Sequence, residues 1–157
     1  MLLGGAEGKR VSNLARELFL RGEELLSRGE RLAALSKFEK SLDLGNPDPL
    51  CKSYVALLSA AERGELKRGL IISEELLKSN PGEPWLYLNL GKLYLLAGRK
   101  AEAVGILREG LVRRWMPEAE ELLGSIGLRK EPVFPFLSRG NLLNKYAGLI
   151  MSRLGLR

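Results

Sequence analysis

Cys51 is the only thiol in a chain of 157 residues that contains no histidine. A cysteine nucleophile needs a neighbour to draw off its proton, and histidine is the usual one. Lys52 merely follows it in sequence, and no histidine–aspartate dyad exists to activate it. Cys51 therefore reads as a small buried or half-buried thiol. The absence of histidine also removes the commonest zinc ligand and every Ser-His pair. Glu118, Glu120 and Glu121 cluster directly behind Pro117. Carboxylates at the first turn of a helix are favoured by its dipole, so the cluster reads as a helix start rather than an acid–base pair. Leu3-Gly4-Gly5 is too short and misplaced for a phosphate-cradling loop, since no strand precedes it. The expectation is a protein that is not an enzyme, with no metal and no cofactor.

What remains for chemistry is apolar and aromatic surface. The apolar fraction is 45%, charged residues make up 28%, and the formal net charge is +6. These values suit one globular domain and permit acidic partners without requiring them. A lone cysteine allows no intramolecular disulfide, which makes a cytoplasmic location the expectation. The start, "MLLGGAEGKR", lacks the long apolar core of a secretory signal, and residues 1–10 are expected to be a disordered lead-in. The longest apolar run, Leu93 to Ala97, falls far short of the roughly 20 residues of a membrane-spanning helix.

The elements that must present this surface are legible from glycine. Gly29, Gly64 and Gly98 stand 35 and 34 residues apart, each between two leucine-bearing helical patterns. Helix–turn–helix units of about 34 residues are a known solenoid period. Prolines follow in "LGNPDP" and "KSNPGEP", where the chain must break between units. Ala34, Leu35, Phe38 and Leu42 recur at helical spacing, as do Ala103, Leu107 and Leu111.

Residues 84–117 carry a fuller pattern: Tyr87, Leu90, Gly91 and Tyr94, then Gly98, Ala103, Leu107 and Leu111, with Trp115 and Pro117 at the end. Residues 15–49 give Gly22, Leu25, Gly29, Ala34, Phe38 and Leu42. Residues 50–83 are weaker: Ala56, Leu57 and Ala60 replace the Leu-Gly-Tyr set, while Gly64, Gly69 and Pro81 hold their places. The chain resembles the tetratricopeptide repeat family over these three units, about two-thirds of its length. The resemblance implies an all-α, right-handed solenoid of about three helix–turn–helix repeats over residues 11–117. Residues 118–157 would form a C-terminal cap. Within that cap, "PVFPFL" breaks any helix, and Asn141 can start a basic amphipathic helix running to about Leu154. In such a fold Gly91 and Ala103 would sit where two helices cross, and Gly98 would make the turn.

The resemblance further implies that the first helix of each repeat lines a concave groove. The positions carried over are Phe19, Glu23 and Leu26, then Cys51, Tyr54, Leu58 and Ala61, then Trp85, Leu88, Lys92, Leu95 and Leu96. Such an apolar and aromatic face marks an interaction site, with Tyr54, Trp85 and Leu88 as its anchors. The repeats that clamp a chaperone's acidic C-terminus use cations at positions held here by Phe19, Glu23, Val55, Trp85 and Asn89, so carboxylate capture is not expected. The function expected is a scaffold binding a peptide or partner helix. One alternative is a homodimer that covers the same face. Another is a charge-driven binder of nucleic acid or anionic membrane through Arg129, Lys130, Lys145 and Arg153, in a segment with six cations and one acid.

Overall fold

The computed structural model describes residues 3–126, with side chains from Glu7 onward. It is helical throughout, with seven helices and no strand among the described residues. They are α1 (Leu3–Ser27), α2 (Arg31–Asp43), α3 (Pro49–Arg63), α4 (Leu66–Ser79), α5 (Pro84–Leu96), α6 (Lys100–Arg113) and α7 (Pro117–Ser125). Each helix packs on the next, and α3 also packs on α5. No helix among these is long and apolar enough to cross a membrane.

Helix starts and stops follow local chemistry. Gly29, Gly64 and Gly98 all adopt the left-handed conformation, with φ of 79°, 75° and 72°. There a Cβ would meet the carbonyl, which is why glycine recurs at each turn. The reversed chain then satisfies helix-end carbonyls: the Glu30 amide donates to Leu25 O at 2.9 Å, and the Arg99 amide donates to Tyr94 O at 2.8 Å. Pro49, Pro84 and Pro117 each open a helix, where no amide hydrogen is needed. Asp48 caps α3 by accepting the Leu50 amide at 2.8 Å.

The start of α1 departs from the expected disordered lead-in, because residues 3–10 are already helical. Glu7, Lys9 and Arg10 are good helix formers, and the helix continues outward although these residues are exposed and bury nothing. The expected cap beyond Ile126, with "PVFPFL" and the basic helix after Asn141, lies outside the described residues. Of residues 118–157, α7 is the described part.

Packing between helices turns on missing side chains. A Cβ added to Gly22 would lie 2.6 Å from the Phe38 ring, and one added to Gly91 would lie 2.5 Å from Leu107. Phe38 and Leu107 are fully buried, so each glycine is the recess that admits a large side chain from the following helix. Leu107 fills the recess at Gly91, and Ala103, expected at the same helix crossing, is fully buried. Burying such side chains stabilises the fold by about 1.5–3 kcal/mol each. Two further close approaches occur at Gly69, facing the Ala56 carbonyl, and at Gly110, facing Tyr87.

Candidate binding cavity

The inner faces of α1, α3, α5 and α7 surround a concave cavity of about 700 Å³. α1 contributes Glu23, Leu26 and Ser27, and Arg31 stands beside them at the head of α2. α3 contributes Tyr54, Leu57 and Leu58 to the floor. α5 supplies the longest wall, from Trp85 through Leu88, Asn89 and Lys92 to Leu95 and Leu96, and α7 adds Glu118 and Leu122. A volume of this size, apolar with a few polar groups, is what a compact ligand or one or two turns of a helix would fill.

The floor is rigid. Tyr54 stacks on Phe38 with ring centroids 4.8 Å apart, and Phe38 in turn stands 5.7 Å from Phe19. Leu58 and Leu88 are 1% and 2% exposed, so they shape the floor without offering much surface. Contact area comes instead from half-buried Leu26, Tyr54, Trp85 and Leu95 and from Leu96, which is 50% exposed. Burial pushes the Tyr54 phenol up to about 12, with Glu23, Glu118 and Asp48 adding to the effect. The hydroxyl therefore stays protonated at any ordinary pH and can act as a donor.

The charges are placed unevenly. Lys92 Nζ pairs with Glu118 Oε1 at 2.6 Å, tying α5 to α7 across the cavity. Arg31 Nε pairs with Glu62 Oε1 at 2.9 Å. Glu23 has neither a salt bridge nor a side-chain hydrogen bond among the described residues. Burial, followed by the nearby Asp48 charge, raises its pKa above the ordinary glutamate value.

Of the residues expected in the groove, Glu23, Leu26, Tyr54, Leu58, Trp85, Leu88, Lys92, Leu95 and Leu96 do line one cavity. Phe19, Cys51 and Ala61 do not. Phe19 is only 9% exposed, its ring packed against both Phe38 and Tyr54. Cys51 is fully buried and turned toward α2, where its thiol donates to Phe38 O at 3.5 Å. Burial pushes that thiol up to about 11, the condition of an inert structural cysteine. Asn89, the one uncharged polar residue at the clamp positions, is spent inside: its Nδ2 donates to Ser53 Oγ at 3.1 Å, and the residue is 2% exposed.

Five lining residues lie outside the groove positions expected from sequence: Ser27 at the end of α1, Arg31 at the head of α2, Leu57, which stands in for a repeat residue, and Glu118 and Leu122, which fall in the expected cap. A signal for the last pair existed, since Pro117 opens a helix and Glu118 and Leu122 are four residues apart on one face. No family model matches this chain, and no curated protein is significantly similar to it.

Proposed function

We propose that the chain is a non-catalytic interaction module, a right-handed solenoid of three tetratricopeptide-like helix pairs with a C-terminal cap, that holds a peptide segment or partner helix in the α1/α3/α5/α7 cavity. The observation that carries the reading is the cavity itself. Four alternate helices turn apolar side chains to one concave wall, and exposed or half-exposed Leu26, Tyr54, Trp85, Leu95 and Leu96 remain uncovered there among the described residues. Apolar surface gathered in a concavity with a rigid floor favours docking of a preformed apolar helix face or short segment. Three of the four left-handed glycines, Gly29, Gly64 and Gly98, stand at near-equal spacing, and glycine recesses lie seven residues before the first and third of them, which supports the repeat assignment.

Selection of a random 12-residue peptide library displayed on phage tests this directly. Enriched peptides should bind the full chain and lose at least about tenfold in affinity with a folded Leu95→Ser, Leu96→Glu double variant, as expected for residues that supply contact area. Equal binding to both proteins would place recognition elsewhere and overturn the reading. Groove binding driven by burial should change little between low and moderate salt, whereas a phosphate-backbone contact would weaken steeply.

A further inference from the structure

We propose that the occupant of the cavity is an apolar peptide segment carrying one basic side chain, and that Glu23 is the residue that receives that cation. The proposal rests on the groove reading above and specifies the chemistry of its ligand. Four ionic side chains line the cavity: Glu23, Arg31, Lys92 and Glu118. Three of them are already balanced, Lys92 by Glu118 at 2.6 Å and Arg31 by Glu62 at 2.9 Å. Glu23 alone is left without a counter-charge among the described residues. The charge that acts on it is Asp48, another acid, whose carboxylate is engaged with the Leu50 amide. The α1 end of the cavity is therefore negative, while the α5/α7 end is neutralised.

A half-buried carboxylate facing an apolar hollow is poorly solvated, and a neutral occupant would desolvate it further with no return. An acidic occupant would add repulsion. A lysine or arginine side chain on an otherwise apolar segment supplies the missing partner, at the cost of desolvating only one new charge. The segment's leucine-like residues would meet Leu26, Leu95 and Leu96, and its stem methylenes would lie along Tyr54. The arrangement assigns polarity to the site, because the cation must lie at the α1 end.

The test uses the full chain and the same phage-displayed 12-residue library, selected in parallel on wild type, Glu23→Gln and Glu23→Lys. Wild type should enrich apolar peptides with one Lys or Arg at a fixed position. Glu23→Gln should retain the apolar pattern and lose the fixed cation, and Glu23→Lys should replace it with Asp or Glu. On a synthetic enriched peptide, exchanging the cation for norleucine should weaken binding to wild type about five- to tenfold and to Glu23→Gln less than twofold. Circular dichroism verifies that each variant is folded, and a modest loss of wild-type affinity with added salt gives a readout that needs no variant. Apolar peptides without a conserved cation would overturn the role of Glu23 and leave the groove reading standing. Peptides indifferent to Leu95→Ser, Leu96→Glu would overturn both. A failed selection with a concentration-dependent dimer that the same double variant disperses would make a second copy the occupant, and would overturn the proposal.

Discussion

Ser73 Oγ is a buried side-chain oxygen with no hydrogen-bond partner among the described residues. Its position explains it. Phe38 and Leu107 each stand nine residues after a left-handed glycine and fill a glycine recess in the preceding helix; Ser73 stands nine residues after Gly64. Seven residues before those same glycines come Gly22, Leu57 and Gly91. In the middle pair the large and small residues are exchanged, and the small one is a serine whose hydroxyl has nothing to bond. Ser73→Ala should therefore stabilise the fold by about 1 kcal/mol in urea unfolding, since it removes an uncompensated polar group at nearly constant volume. Lower stability would mean that the hydroxyl does find a partner. Glu23 makes a second residue-scale case, this one dependent on pH. Its carboxyl titrates higher in the folded chain than in the unfolded one, so the folded state keeps a proton over a window where the unfolded state has lost it. Stability from this group falls as pH rises through that window and stays lowered above it. Glu23→Gln should then melt about 1–2 °C above wild type at neutral pH, a small gain because the site is partly solvated. The gain should vanish below about pH 4, where both states are protonated. A gap that persists there would locate the effect in packing rather than charge.

Among the elements, helix pairs are set by which glycines face a neighbour. Gly22→Ala and Gly91→Ala would drive a methyl into Phe38 and Leu107, and Phe38 cannot retreat because Tyr54 and Phe19 hold its ring. Each should cost about 1–3 kcal/mol in chemical denaturation. Gly105 lies in α6 with open space where its Cβ would be, so Gly105→Ala should stabilise by about 0.5–1 kcal/mol through helix propensity alone. Equal effects at the three sites would refute the account of the recesses. These elements also show what a sequence can carry. Gly29, Gly64 and Gly98 were legible because a left-handed turn all but requires glycine, and their spacing repeats. Nine of the twelve expected groove positions, from Glu23 to Leu96, share one cavity because helical periodicity fixes which side chains share a face. Phe19 and Cys51 did not, because the rotation of a helix about its axis depends on its neighbour, here on the Phe38 ring that occupies the Gly22 recess. Gly69 and Gly110 matter for the same reason: their close contacts are with Ala56 and Tyr87, on other helices. Residues 7–14 of α1 were illegible as helix because their side chains are exposed, so no buried apolar rhythm marks them.

For residues 3–126 as a whole, the main contacts run from each helix to its neighbour in sequence, with α3 on α5 as the addition. Where contacts run mainly between neighbours in sequence, stability should vary along the chain as a sum of neighbouring interfaces. The interior helices α3 and α5 are gripped from both sides. α5 buries every residue from Leu86 to Gly91, and α3 every residue from Ala56 to Ala60. Tyr87, itself buried, adds a lock: its hydroxyl donates to Pro81 O at 2.9 Å, and Arg113 donates to the same carbonyl while lying 4.4 Å above the Tyr87 ring. α7 buries Ala119 alone, and residues 7–14 of α1 are exposed. Amide hydrogen exchange followed by mass spectrometry should show the slowest exchange in α3 and α5, intermediate rates in α2, α4 and α6, and fast exchange in the first two turns of α1 and in α7. A peptide that fills the cavity touches α1, α3, α5 and α7, so its binding should slow α7 most, because α7 starts with the least protection and gains a neighbour on its open face. Uniform protection along the chain would show that residues 3–126 unfold as one cooperative block, and would remove the physical basis for a cavity wall that tightens around its ligand.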